Sequence, residues 1–267
     1  MQVQHWDPAA LPAGEGEVRL ERVEDWWELV LDNPGARNAL SPGMMAALGA
    51  AATRLQAEPE GAVLLVRGAG ERAFCAGGDL RSVRANLLVP GTAEGMQRWM
   101  SQALDTLAAL PRVILASVEG AALGGGAELL TACDEVFASR LAKVGFVHVT
   151  LGVSPGWGGA RRLVRRVGSR RALRLLLCGP EADVVQAREL GLVDHLCEPG
   201  QALAQARARA RVLSALPPQA VRGAVRIARS EGDPAVERAV FASLWGAPDH
   251  QRALARSRKG HTPSGRG

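Results

Sequence analysis

The chain has 267 residues, of which 47% are hydrophobic, enough to bury one large core or a core with a smaller helical appendage. It has no run of about eighteen apolar residues, and its first residues form neither a basic nor an apolar block, so we expect a cytoplasmic protein without a membrane span. The net charge is +5, but the arginines are interleaved with acidic residues and lack aromatic neighbours. This pattern argues against nucleic acid as a partner and favours a polyanionic small molecule.

The amino-terminal part predicts a flexible segment over residues 1–16, followed by a β-hairpin. Residues 18–20 and 27–31 are predicted to be short strands on either side of a polar turn. Ser41 and Pro42 then predict a helix start, because serine is a favoured N-cap and proline is tolerated at the first helical position. We expect this helix to continue to about residue 56.

Two apolar strands followed by small residues dominate the middle of the chain. The strand at residues 62–66 leads into a loop that ends in AFCAGGD, and a helix is predicted over residues 93–109. The strand at residues 113–118 leads through a small-residue turn to a helix that opens at Gly124-Gly125-Gly126 and carries Glu128 in its first turn. Such a helix start presents free N–H groups and stabilises a developing oxyanion, although a tight turn with a well-placed acid explains the triplet equally well.

If these two strands are neighbours in a parallel sheet, their carboxyl ends bring the backbone of Gly77 and Gly78 beside that of Gly125. The N–H groups of Gly78 and Gly125 would then form a two-donor oxyanion hole. Cys75 lies next to this loop, but it has no histidine or lysine neighbour in sequence, so a catalytic thiol is not expected. The four cysteines have no metal-ligand spacing and are expected to be reduced and buried.

The carboxyl-terminal third is predicted to be largely helical. An extended segment is predicted at 144–149 and a helix from Gly156 to about residue 165. The intervening residues match the G-x-S-x-G nucleophile pattern, which we reject because Pro155 follows the serine and has no N–H to donate. From residue 201 the sequence is rich in alanine, arginine and leucine, with helix breaks at Pro217-Pro218 and Gly232-Asp233-Pro234.

Several motifs occur in the order of one known family. They are FCAGGDL, ALGGGAEL, RNALSPGMMAAL, LGVSPGWGGARRLVRRVGSRRA and ARELGLVDHL. Together they make nearly the whole chain resemble the crotonase (enoyl-CoA hydratase/isomerase) superfamily, which acts on acyl-CoA thioesters. The resemblance implies an α/β fold, a crotonase-type spiral of ββα units at residues 17–200 with the acyl-CoA site. It also implies a helical region at 201–267 that builds a homotrimer or a dimer of trimers.

The resemblance also implies a set of substrate-binding residues. Ala76 would grip the adenine through its backbone, Arg37 and Ala39 would lie near the coenzyme A chain, and Asp79 closes the same loop. Arginines near the pocket mouth would hold the phosphates of coenzyme A, since guanidinium groups bind phosphate bidentately. No metal or redox cofactor is expected, because coenzyme A arrives as part of the substrate.

The acid and base groups depart from the commonest members of the superfamily. Hydratases use two facing glutamates, of which Glu128 matches the first, whereas the second position is occupied by His148. The segments FVH, SPGWGG and LWGAP resemble a narrower branch that decarboxylates ethylmalonyl-CoA, with methylmalonyl-CoA as a poorer substrate. A malonyl-type substrate carries its own carboxylate, which a histidine attracts and a second glutamate repels.

This resemblance assigns Trp157 as an apolar wall that desolvates the substrate carboxylate, although packing beneath the turn is an equal explanation. Either Glu128, kept protonated by burial, or His148 would return the proton to the α carbon. His148 also has a purely structural interpretation. Two alternatives therefore stay open: a hydratase or isomerase for another acyl-CoA, and a non-catalytic homologue that binds acyl-CoA.

Overall fold

The computed structural model describes residues 7–79, 81, 91–179 and 183–259. Its strands are β1 (Glu17–Val23), β2 (Trp26–Asp32), β3 (Val63–Gly68), β4 (Ala73–Cys75), β5 (Val113–Val118), β6 (Ala121–Leu123), β7 (Glu135–Ser139), β8 (Lys143–Gly145) and β9 (His195–Cys197). A six-stranded sheet has the order β1-β2-β3-β5-β7-β9, with an antiparallel β1–β2 hairpin and parallel neighbours thereafter. The predicted hairpin and the parallel pairing of β3 with β5 are both confirmed.

Many of the helices begin at capping or proline residues of the sequence. They are α1 (Pro42–Ala57), α2 (Thr92–Ala108), α3 (Gly125–Leu130), α4 (Gly159–Val167), α5 (Ser169–Leu176), α6 (Val184–Glu189), α7 (Ala202–Ser214), α8 (Pro218–Arg229), α9 (Pro234–Leu244) and α10 (Pro248–Lys259). Ser41 caps α1 as predicted, because its Oγ accepts the Met44 N–H at 3.3 Å. Within the described ranges, no helix combines the length and apolar character that crossing a membrane requires.

A second, three-stranded parallel sheet in the order β4-β6-β8 positions the candidate site. Its first two strands lie in stretches predicted as a loop and a turn, since three small or mixed residues carry little strand signal. The carboxyl ends of parallel strands meet at one edge of a sheet. Loop 76–79, the glycine triplet and residues 146–148 therefore converge at that edge.

The large sheet is buried on both faces. Along β3, Leu64 and Val66 contribute to one core cluster and Val63 and Leu65 to the other, as the two-residue period of a strand requires. The second cluster is covered by α7, through its buried residues Ala202, Ala206, Ala210 and Leu213. The first helix after residue 200 thus shares the core of the sheet.

A buried carboxylate joins α7 to this sheet. Glu28 on β2 is fully buried and accepts hydrogen bonds from Arg67 Nε and Arg207 Nε, both at 2.8 Å. Burial raises the pKa of Glu28, but the hydrogen bonds from Arg207 and Arg67 outweigh it, and the pKa lies below its ordinary value. The ionised Glu28 therefore holds α7 against the sheet through its ion pair with Arg207.

Two sequence-based boundaries are wrong. Residues 144–149 were predicted to be extended, but the strand β8 ends at Gly145. A 3₁₀ turn, Val147–Leu151, follows and contains His148. The turn is closed by a 2.7 Å hydrogen bond from Thr150 Oγ1 to the Val147 carbonyl. The helix predicted from Gly156 begins instead at Gly159, because the N–H groups of Gly156 and Trp157 donate to Glu128.

The start of the described chain lies against α1. The Gly43 N–H donates to the Ala13 carbonyl at 2.8 Å, and Asn33 Nδ2 donates to the Glu15 carbonyl at 3.3 Å. The remainder of the segment predicted to be flexible, residues 1–6, and the tail from residue 260 lie outside the described residues.

Candidate active site

Two free backbone N–H groups meet at the edge of the small sheet. Gly78 forms a parallel bridge with Leu40, in which the Leu40 N–H donates to Gly77 and the Asp79 N–H donates to Leu40, each at 2.8 Å. This pattern turns the Gly78 N–H away from Leu40. A Cβ on Gly77 would lie only 3.2 Å from the Gly125 nitrogen, so the two segments are in contact. Neither the Gly78 nor the Gly125 N–H has a partner within the described chain, as an oxyanion hole requires.

Each glycine of the triplet is required for a different reason. Gly124 has a φ of 56°, which favours glycine. A Cβ on Gly125 would lie 2.3 Å from the Trp157 ring, and one on Gly126 would lie 2.0 Å from the Cys75 carbonyl oxygen. The start of α3 therefore has no room for a side chain.

Glu128 is buried, and its carboxylate accepts three backbone N–H groups. Oε1 accepts the Gly156 N–H at 3.1 Å, and Oε2 accepts the N–H groups of Trp157 and Gly159 at 2.7 and 2.8 Å. His148 Nε2 lies 3.1 Å from Oε1. Glu128 thus holds the 156–159 turn, and backbone N–H groups occupy three of the roughly four acceptor positions of its carboxylate.

The His148 side chain lies next to Gly124. A Cβ on Gly124 would lie 3.8 Å from its Nε2, and the side chain is only 12% exposed. Nε2 also faces Glu128, whereas Nδ1 is buried and has no hydrogen-bond partner among the described residues. Nε2 is therefore the ring nitrogen that lies near both Glu128 and the glycine triplet.

Trp157 forms an apolar wall in front of both free N–H groups. Its side chain is buried, and its ring lies over Gly125. A Cβ on Gly78 would lie 3.6 Å from the Trp157 ring and 3.4 Å from Met45 Cε. Trp157 therefore contacts both glycines, and Met45 contacts Gly78.

The residues predicted to bind coenzyme A lie on two segments, 37–39 and 76–79. Arg37 is exposed, and its carbonyl accepts the Ala76 N–H at 3.1 Å. Asp79 Oδ1 accepts the Arg81 N–H at 3.0 Å at the other end of the loop. The two segments are therefore in contact, beside Gly78.

Ala39 is buried and belongs to the support of that segment, together with Asn38, which sequence reasoning missed. Asn38 Nδ2 donates to the Ala73 and Ala69 carbonyls at 2.7 and 3.0 Å, and its Oδ1 accepts the Asn33 N–H at 2.9 Å. Its φ of 55° is one that asparagine tolerates better than most residues. An asparagine shortly after Asn-Pro-Gly was the available signal, since such residues favour turns.

Sequence reasoning also missed the pair Arg162 and Asp105, which supports the backbone of Trp157. Arg162 is buried, and its Nη2 donates to the Trp157 carbonyl at 2.7 Å. Its Nη1 donates to Asp105 Oδ1 at 2.7 Å and its Nε to Thr131 Oγ1 at 3.1 Å. No sequence signal links residues so far apart, because only the packing of α2 against the 156–159 turn brings them together.

The cysteine near the site is not a nucleophile candidate. Cys75 is fully buried, and burial raises the pKa of its thiol to about 12. All four cysteines lie in the described part of the chain, where they are buried and form no disulfide, as the sequence predicts.

Comparison with known proteins agrees with this geometry. The family model described as enoyl-CoA hydratase/isomerase matches residues 26–243. A protein of Danio rerio named ethylmalonyl-CoA decarboxylase is 39% identical over 257 residues, covering 92% of this chain and 84% of its own length. The Mus musculus protein of the same name is 36% identical, covering 88% of this chain and 74% of its own length.

Solved structures give the same result for the fold. The enoyl-CoA hydratase from Bacillus anthracis superposes with a TM-score of 0.85 at 26% identity, over 92% of this chain and 98% of that one. A putative enoyl-CoA hydratase from Streptomyces coelicolor superposes with a TM-score of 0.84 at 28% identity, over 97% and 98% of the two chains. The chain is a member of the enoyl-CoA hydratase/isomerase family.

Proposed function

We propose that this protein is a carboxy-lyase that decarboxylates a short branched malonyl-CoA, either ethylmalonyl-CoA or methylmalonyl-CoA. The observation that carries the proposal is the pairing of His148 with a Glu128 carboxylate that already accepts three backbone N–H groups. Hydration in this family needs two carboxylates facing one water, and this site has one carboxylate with a histidine beside it. The names of two curated relatives support the same reaction.

In this proposal the thioester oxygen binds between the N–H groups of Gly78 and Gly125. The substrate carboxylate lies near His148, whose Nε2 is next to the glycine triplet. Trp157 excludes water from that carboxylate, which favours loss of neutral carbon dioxide. The exposed Arg37 and the backbone of Ala76 would hold the coenzyme, with Asp79 at the end of the same loop.

The chemical steps need only groups of this chain. The bond between the α carbon and the carboxylate breaks, carbon dioxide leaves, and its electron pair forms a thioester enolate that the two N–H groups stabilise. A proton then adds to the α carbon. We assign that proton to His148, because three backbone N–H groups already donate to the Glu128 oxygens, and water restores it. No metal or redox cofactor is required, since no atom changes its oxidation state through an external acceptor.

The deciding experiment offers purified protein ethylmalonyl-, methylmalonyl- and crotonyl-CoA in parallel and reads product masses. Loss of carbon dioxide from a malonyl-type substrate, faster than water addition to crotonyl-CoA, is expected. Faster hydration would overturn the proposal in favour of an enoyl-CoA hydratase. No turnover of any of the three, with retained acyl-CoA binding, would favour a non-catalytic homologue.

We also propose that the protein works in the cytoplasm as a homotrimer or a dimer of trimers. The support is an apolar surface on the last helices, where Phe241 and Trp245 are 62% and 67% exposed. Exposed aromatic groups of this size are typical of protein interfaces.

A further inference from the structure

We propose that Arg162, oriented by Asp105, is a positioning residue that fixes Trp157 and thereby sets which α-substituent the site accepts. This inference rests on the proposed function, because it concerns the acyl pocket of that reaction. It assigns the role to residues that lie behind Trp157 rather than in contact with substrate.

Trp157 is held at both ends of its backbone by buried charges of opposite sign. Its N–H donates to Glu128 Oε2 at 2.7 Å, and its carbonyl accepts from Arg162 Nη2 at 2.7 Å. Hydrogen bonds to charged groups are stronger than neutral ones, and burial strengthens them further. The direction of the Trp157 side chain is therefore fixed by Glu128 on one side and Arg162 on the other.

Arg162 is itself fixed by a second set of contacts. Asp105 Oδ1 accepts from its Nη1 at 2.7 Å, and Thr131 Oγ1 accepts from its Nε at 3.1 Å. Asp105 also accepts from Arg161 at 2.6 Å. All three guanidinium nitrogens of Arg162 are thus hydrogen-bonded. The position of the guanidinium group therefore fixes the position of the Trp157 carbonyl.

The wall that Arg162 fixes lies where substrate size matters. The Trp157 ring lies over Gly125 and near Gly78, the two donors assigned to the thioester oxygen. The α carbon is one bond from that carbonyl, so its substituent must pack against the nearest wall. One methylene in an apolar pocket changes specificity by about 10–200-fold, so a loosened wall should lose part of this discrimination.

The same helix offers a matched control. Arg166, one turn after Arg162, donates to the Cys133 and Gly191 carbonyls at 2.6 and 2.9 Å and to Asp194 Oδ2 at 2.6 Å. It therefore also ties α4 to two carbonyls and an aspartate, without touching the Trp157 turn. A variant that loses the Arg166 contacts therefore shows how a general loosening of α4 affects the activity.

The test compares Arg162→Lys with Arg166→Lys, because lysine keeps the charge but cannot make the three planar contacts. We expect Arg162→Lys to change the ratio of kcat/KM for ethylmalonyl-CoA over methylmalonyl-CoA by about threefold or more, with Arg166→Lys leaving it unchanged. Asp105→Asn should change the kcat/KM ratio in the same direction as Arg162→Lys. It replaces Arg162→Lys in the test if that variant does not fold. An unchanged ratio in the Arg162 and Asp105 variants, or equal changes at Arg162 and Arg166, would overturn the inference.

A second readout does not depend on activity. The fluorescence of Trp157 is obtained as the difference between each protein and its Trp157→Phe counterpart. Acrylamide should quench this signal more strongly in Arg162→Lys than in the parent or in Arg166→Lys. If the parent fails to decarboxylate, the proposed function is wrong, and this comparison still decides whether Arg162 positions Trp157; equal quenching in all three would refute it.

Discussion

The pair His148 and Glu128 divides its work unequally. Glu128 accepts three backbone N–H groups, whereas His148 has Nε2 at 3.1 Å from Glu128 and a buried Nδ1 without a partner among the described residues. In the proposed reaction His148 meets the substrate carboxylate and supplies the proton, and Glu128 holds the 156–159 turn.

Replacing His148 separates decarboxylation from hydration. His148→Glu puts a second carboxylate beside Glu128 and beside the substrate carboxylate, and we expect decarboxylation of ethylmalonyl-CoA to collapse. His148→Gln is the matched control, since its amide can still donate to Glu128 but cannot supply the proton, and it should lose about 10²-fold or more in kcat. Steady-state kinetics with both variants provide the check. Parent-like decarboxylation by His148→Glu would show that this residue does not approach the substrate carboxylate.

The oxyanion hole is best tested at Gly78. Gly78→Pro removes the N–H, whereas Gly78→Ala keeps it and adds a Cβ at ordinary contact distances of 3.4 and 3.6 Å. We expect the proline variant to lose about 10²–10³ in kcat and the alanine variant to lose far less. Circular dichroism of both proteins verifies folding before the rates are compared. Equal rates in the two variants would remove Gly78 from the oxyanion hole.

At the level of elements, the attachment of α7 depends on the buried charge of Glu28. Its pKa lies below the ordinary value of 4.5, so the folded state favours the ionised carboxylate. A lowered pKa gives stability that is complete above about pH 4.5 and is lost as the pH falls through the folded-state pKa. The docking of α7 should therefore weaken in acid.

The substitution Glu28→Gln tests this attachment. We expect a loss of about 2 kcal/mol in unfolding free energy, less than the roughly 3–5 kcal/mol of a fully buried pair, because Arg67 and Arg207 remain partly exposed. The variant should also lose the acid-dependent part of its stability. Urea denaturation at pH 7 and in acid measures both effects. The exposed Glu24–Arg211 pair is the control, and Glu24→Gln should leave stability nearly unchanged.

Local signals in the sequence were sufficient for some elements and not for others. The strand at 113–118 and the cap at Ser41 were predicted correctly, because apolar β-branched residues and a Ser-Pro pair act within a few residues. The start of α4 was predicted wrongly, because it depends on hydrogen bonds to Glu128, which lies 28 to 31 residues away in sequence. The meeting of the glycines could be predicted from the parallel strands, whereas the inward direction of the Glu128 carboxylate could not.

At the scale of the whole molecule, assembly should depend on the last helices. The exposed aromatic pair of the carboxyl-terminal helices lies at the end of α9, where the Phe241 and Trp245 rings are 5.2 Å apart. We expect Trp245→Glu to reduce the size of the particle in light scattering, because a buried unpaired charge opposes association. Leu141→Glu is the control, a change at a side chain that is 74% exposed and distant in sequence. A monomeric parent protein would contradict the proposed assembly.

The crowding at the glycine triplet limits how this site can be altered by mutation. Gly125 and Gly126 have the Trp157 ring and the Cys75 carbonyl at distances that exclude even a methyl group. Every single-nucleotide change in their codons that replaces glycine introduces a side chain, so both positions are closed to stepwise change. A laboratory effort to redesign the acyl pocket should therefore diversify Met45, Trp157 and the residues that support them, and leave the triplet untouched.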